Sequence, residues 1–281
     1  MRLANVVDDG RASVAVVRGE RILPLALPDP ELDSVRAIAA AGEPALRRIA
    51  EWAERQPKHA YRWLTEVKLG PAMPDPGAIY TIGLNYGVAG EPDDAGPERP
   101  LVYGKAVTSV AGHRSVLTWD RSLTANVDAE CELGVIISSP ATDVSLAEAM
   151  EHVFGYTIIN DVSSRDSWLD GDQWLLGKSM PGFCPIGPWI VTRGEVDPND
   201  LRLGCTINGV AIQDGRTLQM RFRIPELIAY LSRHVTLRPG DAIATGTPAR
   251  LEGPLGPGRL EAGDVVTVWI EEIGELTTVI A

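Results

Sequence analysis

Residues 127–136 read VDAECELGVI, an apolar run with acids at alternate positions of its first half. Side chains alternate between the two faces of a strand. Asp128, Glu130 and Glu132 therefore share one face, and Val127, Ala129, Cys131 and Leu133 share the other. Neighbouring acids in such a row lie about 6.6 Å apart at ~3.3 Å rise per residue. At an effective dielectric near ~20 each repulsion costs about 2.5 kcal/mol. Two arrangements remove that cost: the acids form the wet face of an antiparallel strand, or a cation sits among them. Downstream, VFGYTIIN (153–160) is a second strand, and it ends directly on Asp161, where a loop begins. Two strand-borne glutamates and a strand-end aspartate offer only oxygen ligands. That set suits magnesium, manganese or calcium rather than zinc or copper.

Around this pair of strands the chain is turn-rich and β-heavy. After Gly77 further strands are expected at AIYTIG, PWIVT, RLGCTI, VAIQ, DAIATG and DVVTVWIEE. Asn208-Gly209 between alternating runs is a two-residue hairpin turn. Two helices interrupt: one begins at Ser145 with Glu148 completing a capping box, the other is IPELIAYLSRH (224–234), opened by Pro225. Residues 2–25 read as short hairpin strands. From Pro30 to about Lys68, apolar residues three or four apart (Val35, Ile38, Ala39; Leu46, Ile49, Ala53) predict amphipathic helices. The segment KLGPAMPDPGA carries Pro71, Pro74 and Pro76 and divides a small N-terminal region of hairpins and helices (1–72) from a larger domain (73–281).

The 281 residues are 44% hydrophobic and carry a formal net charge of −12, so the molecular field repels phosphate backbones and anionic lipid surfaces. No nucleic acid and no membrane partner is expected. An anionic substrate then requires local positive charge, from a metal or from placed Lys and Arg. Cys131, Cys184 and Cys205 are odd in number and lack CxxC spacing, which fits neither a disulfide framework nor a zinc site and points to a reducing cytoplasm. Asp8 and Asp9 break the N-terminal apolar run before it reaches signal length, and no apolar run reaches 18 residues.

The ordered series IGLNY, VDAECELGVII, VFGYTIINDVSSRD, GKSMPGFCPIGPWIV, INGVAIQ and PGDAIATGTP resembles the fumarylacetoacetate hydrolase superfamily across roughly residues 78 to 280. The resemblance implies an α+β, β-rich fold: a mixed β-roll catalytic domain behind a small N-terminal α/β region. It also implies a homodimer with a divalent metal, normally Mg2+, with Mn2+ or Ca2+ as alternatives. By carry-over, Glu130, Glu132 and Asp161 are the metal ligands, Lys178 the active-site lysine, and Thr247 a threonine that contacts substrate. Arg165 matches the family's arginine, which either anchors a substrate carboxylate or braces a loop by pairing with Asp166.

Three positions depart from the family pattern. Ala89 stands where hydrolytic members carry a histidine, leaving Glu91 as the nearby proton acceptor, while Pro181 and Trp168 replace an aspartate and a glutamine common among relatives. His113, in a loop leading toward the carboxylate strand, is the other candidate base; His59, His152 and His234 read as structural. The expected activity is metal-dependent hydrolysis of a C–C bond in a small acylpyruvate-like or 1,3-dicarbonyl oxo acid. The alternatives are isomerisation or decarboxylation through the same enolate, or a catalytically silent protein that binds metal and ligand.

Overall fold

The computed structural model describes residues 1–26, 30–87, 96–166, 173–252 and 259–281. Four N-terminal strands open the fold: β1 (Arg2–Asp8), β2 (Arg11–Arg18), β3 (Arg21–Pro24) and the short β4 (Arg62–Trp63). Then come β5 (Ile79–Gly83), β6 (Leu101–Lys105), β7 (Val110–Ala111), β8 (Ser115–Leu117), β9 (Val127–Asp128) and β10 (Cys131–Ile137). They are followed by β11 (Val153–Asn160), β12 (Ser163–Ser164), β13 (Cys184–Thr192), β14 (Arg202–Ile207) and β15 (Val210–Arg216). The last strands are β16 (Ala242–Ala244), β17 (Val265–Ile270) and β18 (Gly274–Ile280).

One large mixed sheet runs β4-β3-β2-β1-β13-β11-β10-β16-β5-β6, with β7 added beside β13, and a second sheet runs β15-β14-β17-β18-β8. Between them lies the main core, to which Val127, Ala129, Cys131, Leu133, Val135 and Ile137 contribute the apolar face expected from the sequence. The other face of the large sheet is covered too. Helix α1 (Val35–Glu54) packs Val35, Ile38, Ala39, Ile49 and Ala53 into a cluster with Ile136, Ile159 and Ile186. Both faces of β10 are therefore dry, and the acid row cannot be the wet side of a strand.

The helical forecast for the N-terminal region holds in part. Ser34 caps α1 by accepting the Ala37 N–H, and the helix breaks at Gly42 (φ 64°). Beyond Glu54 the α-helix stops: Lys58–Ala60 and Leu64–Glu66 are single 3-10 turns flanking β4, which pairs with β3. At Ser145 the hydrogen bonds to Glu148 form, but only a 3-10 turn (Ala149–His152) follows before β11 begins at Val153. The second forecast helix is α3 (Ile224–Ser232), preceded in the chain by the short α2 (Trp174–Lys178). Asn208 and Gly209 both have positive φ (52° and 79°), as the hairpin turn joining β14 to β15 requires. Among the described residues no helix is long and apolar enough to cross a membrane.

Asn85 locks the loop after β5 to the site's opposite wall. Its Nδ2 donates to the carbonyls of Thr245 (2.7 Å) and Phe222 (3.1 Å), and its Oδ1 accepts the Phe222 N–H (2.9 Å). The side chain is fully buried, so Asn85→Ala strands three backbone groups. At ~1–3 kcal/mol for each unmet buried group, partly relieved by relaxation, the loss is about 2–4 kcal/mol. A lowered urea midpoint with an unchanged m-value is the expected readout.

Candidate active site

The β10–β11 register builds the site. Cys131 pairs with Asn160, so the next residue on each chain is Glu130 facing Asp161, and the Asp161 N–H donates to the Glu130 carbonyl at 2.9 Å. The acid row is not one unbroken strand. Asp128 belongs to β9, which pairs with β12, and the chain steps out of the ladder at Ala129 and Glu130 before β10 resumes. This step separates Asp128 from the other acids. Glu130, Glu132 and Asp161 offer ligand atoms that lie within 4.8 Å of one another, all in buried side chains.

Cations from four other places in the chain surround this cluster. Lys178, the last residue of α2, reaches Asp161 Oδ2 at 2.6 Å, Ser163 Oγ at 2.8 Å and Glu130 Oε2 at 3.2 Å. Arg165 bonds Glu130 (2.6 Å) and Asp128 (3.2 Å), and Arg250 takes the other Asp128 oxygen at 2.7 Å. Lys105, at the end of β6, bonds Asp161 Oδ1 at 2.5 Å and the Val162 carbonyl at 3.0 Å. Burial pushes carboxyl pKa values up, but Lys178 and Arg165 outweigh it at Glu130, and Lys105 and Lys178 outweigh it at Asp161; both are held below the usual range. Burial also works against the Lys178 ammonium, and Asp161, Glu130 and Glu132 more than compensate, so it stays charged.

Glu132 is the exception. Burial first, then Asp161 and Glu130, drive its carboxyl well above the usual range, while Gly246 donates its N–H to Oε2 at 2.7 Å. Gly246 has φ +96°, and a Cβ there would lie 2.8 Å from Asn85 Cβ, so only glycine lets this amide approach. A carboxyl pushed up by burial and by two neighbouring carboxylates is one that a doubly charged cation among them would relieve. With its all-oxygen donors, the triad fits a divalent metal of the magnesium, manganese or calcium class.

A cavity of about 360 Å³ opens onto this cluster and is lined by Glu130, Glu132, Asp161, Arg165, Lys178 and Thr247, among others. Thr247 Oγ1 donates to the Cys131 carbonyl and accepts from Gln213 Nε2, both at 2.8 Å. Arg165 braces no loop through Asp166, whose carboxylate accepts from Thr124, Ala125 and Asn126 instead. His113 is not brought to this lining: its Nδ1 accepts the Thr277 N–H on the second sheet. Ala89, Glu91 and Trp168 lie outside the described residues. Lys105, Arg250 and Gln213 escaped the sequence reading. A lysine closing the apolar strand LVYGK was the one available signal, since lysine is rarely buried without a partner.

Residues 78–281 match the family model described as the fumarylacetoacetate (FAA) hydrolase C-terminal domain. The chain belongs to the fumarylacetoacetate hydrolase family. Among curated relatives, oxaloacetate tautomerase YisK of Bacillus subtilis (strain 168) is 38% identical over 242 residues, covering 82% of this chain and 80% of the relative. The solved fumarylacetoacetate hydrolase of psychrophilic Exiguobacterium antarcticum superposes with a TM-score of 0.87 at 34% identity, covering 100% of this chain and 99% of that one. Maleylpyruvate hydrolase from Sphingobium sp. SYK-6, solved with manganese(II) and pyruvate, gives a TM-score of 0.80 at 29% identity, covering 100% and 99%. The similar proteins include hydrolases, isomerases and a tautomerase, one of them solved with manganese(II), and this chain has a Glu/Glu/Asp triad that could hold a metal ion.

Two predictions follow from the geometry. If the triad takes up a divalent cation, Mg2+ at about 100 times its Kd is expected to stabilise the fold by about 2.7 kcal/mol, read as a raised Tm that chelator reverses, and Glu132→Gln is expected to lose that increment. Burial and then Arg114 lower the His113 pKa from 6.5 to about 4. The unfolded chain therefore takes up this proton first, and His113 erodes stability as pH falls from about 6.5 to about 4. His113→Asn flattens that part of the pH profile in denaturant titrations.

Proposed function

We propose that this protein is a divalent-metal-dependent enzyme that enolises a small 2-oxo acid, with keto–enol tautomerisation as its net reaction. The observation that carries the reading is the buried Glu130, Glu132 and Asp161 cluster with the Lys178 ammonium in contact with two of its members. Glu130, Glu132 and Asp161 would hold the metal, which supplies Lewis-acid polarisation of the substrate's oxygens when bound. Lys178 holds a fixed cation where negative charge grows as a carbon-bound hydrogen leaves, and water is excluded around it. Arg165, half-exposed at the cavity wall, offers a guanidinium to the substrate carboxylate.

Tautomerisation needs only a proton moved from C3 to the C2 oxygen. The 38% identical Bacillus subtilis relative, an oxaloacetate tautomerase by name, supports this choice. Hydrolysis of a C–C bond demands a further base to activate water, worth about 10²–10⁴ in rate, and Glu91 is the sequence's candidate for it. The maleylpyruvate and fumarylacetoacetate hydrolases among the structural relatives keep that second reading in play. We place the protein in the cytoplasm and expect a homodimer, from the family resemblance and the three free cysteines.

The test is spectroscopic. Purified protein with Mg2+ is expected to accelerate decay of the enol absorbance of oxaloacetate and exchange of its C3 hydrogens with deuterated water, and chelator is expected to abolish both. Lys178→Met is expected to lower kcat by about 10²–10³, the usual loss when one fixed donor to an oxyanion is removed. Solvent ¹⁸O entering a new carboxylate of an acylpyruvate, with no acceleration of enol decay, would replace tautomerisation by hydrolysis.

A further inference from the structure

Two lysines meet Asp161, and the enolisation chemistry uses only one of them. Lys105 Nζ donates to Asp161 Oδ1 at 2.5 Å and Lys178 Nζ donates to Oδ2 at 2.6 Å, so each oxygen of this carboxylate carries its own ammonium. Their surroundings differ. Lys178 lines the cavity; Lys105 does not, and its fully buried side chain also donates to the Val162 carbonyl at 3.0 Å. Lys105 closes β6, the edge strand of the large sheet, four places from β11 in strand order. Its neighbour secures that reach, because the Ala106 N–H donates to Ser179 Oγ at 2.8 Å and ties the end of β6 to the end of α2.

The backbone of Asp161 is held as well. Its N–H donates to the Glu130 carbonyl at 2.9 Å, and its own carbonyl accepts from Ser163 Oγ at 2.9 Å. Freeing Oδ1 from Lys105 would leave an ammonium buried against a neutral carbonyl, which is strongly unfavourable. Oδ2, whose ammonium partner faces the cavity, is therefore the oxygen that Asp161 can share with an incoming ion. This bears on which ion the triad takes. Ca2+ gathers about six to eight oxygens and often grips a carboxylate through both, whereas Mg2+ demands a tight octahedron, keeps several waters and accepts single oxygens.

We infer that Lys105 is a positioning residue that keeps Asp161 to one ligand oxygen and so biases the triad toward Mg2+ over Ca2+; this rests on the reading of the triad as a metal site. The experiment titrates Mg2+ and Ca2+ separately onto chelator-stripped native protein and Lys105→Met, with binding followed by calorimetry. Native protein is expected to bind Mg2+ at least as tightly as Ca2+. Lys105→Met is expected to lower the Mg2+-to-Ca2+ affinity ratio about tenfold, the lower end of the ~10–100-fold that partners of metal ligands are worth. The ratio isolates positioning: both ions carry two charges, so loss of the ammonium's field shifts both affinities alike and cancels. A ratio unmoved in a variant that still binds both ions, or a native preference for Ca2+ above about tenfold, overturns the role of Lys105 and leaves the metal site standing. Native protein that binds neither ion removes the metal reading itself, and the inference with it. Should Lys105→Met fail to fold, a crystal structure of the native protein soaked in Mg2+ decides. Asp161 bound through one oxygen, with Lys105 still on the other, supports the assignment; Asp161 bound through both, or Lys105 displaced, overturns it.

Discussion

Burying like charges is the constraint to which the rest of this structure answers. Asp128, Glu130, Glu132 and Asp161 sit in the interior against Lys105, Lys178, Arg165 and Arg250, and the two sets cancel in formal charge. No member could be buried alone, because an unpaired interior charge costs several kcal/mol even after relaxation. The cations come from the end of β6, the end of α2 and the loops after β12 and β16, so the cluster forms only when these separate elements are brought together. A doubly charged ion held there would leave the site with two positive charges in excess. On the enolisation reading proposed above, an oxo acid that had become both carboxylate and enolate would match that excess.

The sequence revealed the acids better than their partners. Period-two alternation placed Glu130 and Glu132 on one face, and the strand end placed Asp161; the apolar partners Val127, Ala129, Cys131 and Leu133 lie together in the main core as that alternation requires. What alternation could not reveal was the break at Ala129, because leaving a ladder is decided by which strand lies alongside, and β9 and β10 pair with different partners. Lys105 and Arg250 were hidden for a related reason. They stand 56 and 122 residues from the acids they neutralise, and no local pattern encodes contacts at that range. The helix proposed at Ser145 shows the opposite error: the local signal was real, and its hydrogen bonds form, but the chain makes only a 3-10 turn before β11.

Lys178 shows how burial changes the meaning of a residue. In the sequence it follows a glycine and precedes a Gly/Pro segment, a setting that fits a solvated lysine equally well. In the fold only 4% of it reaches solvent, and it hydrogen-bonds Glu130, Asp161 and Ser163. The same short helix that delivers it also carries Trp174, and both line the cavity.

The pairing of β1 with β13 couples the N-terminal region to the catalytic sheet. Arg2 and Leu3 lie in register with Val191 and Ile190, so the first hairpin continues the ladder that carries the acids through β13, β11 and β10. A chain shorn of its first seventy residues would bare the β13 edge and strip α1 from Ile136, Ile159 and Ile186. An unpaired edge beside uncovered aliphatic side chains is a template for sticking to other chains. In the intact chain the small region keeps that edge paired and those side chains covered.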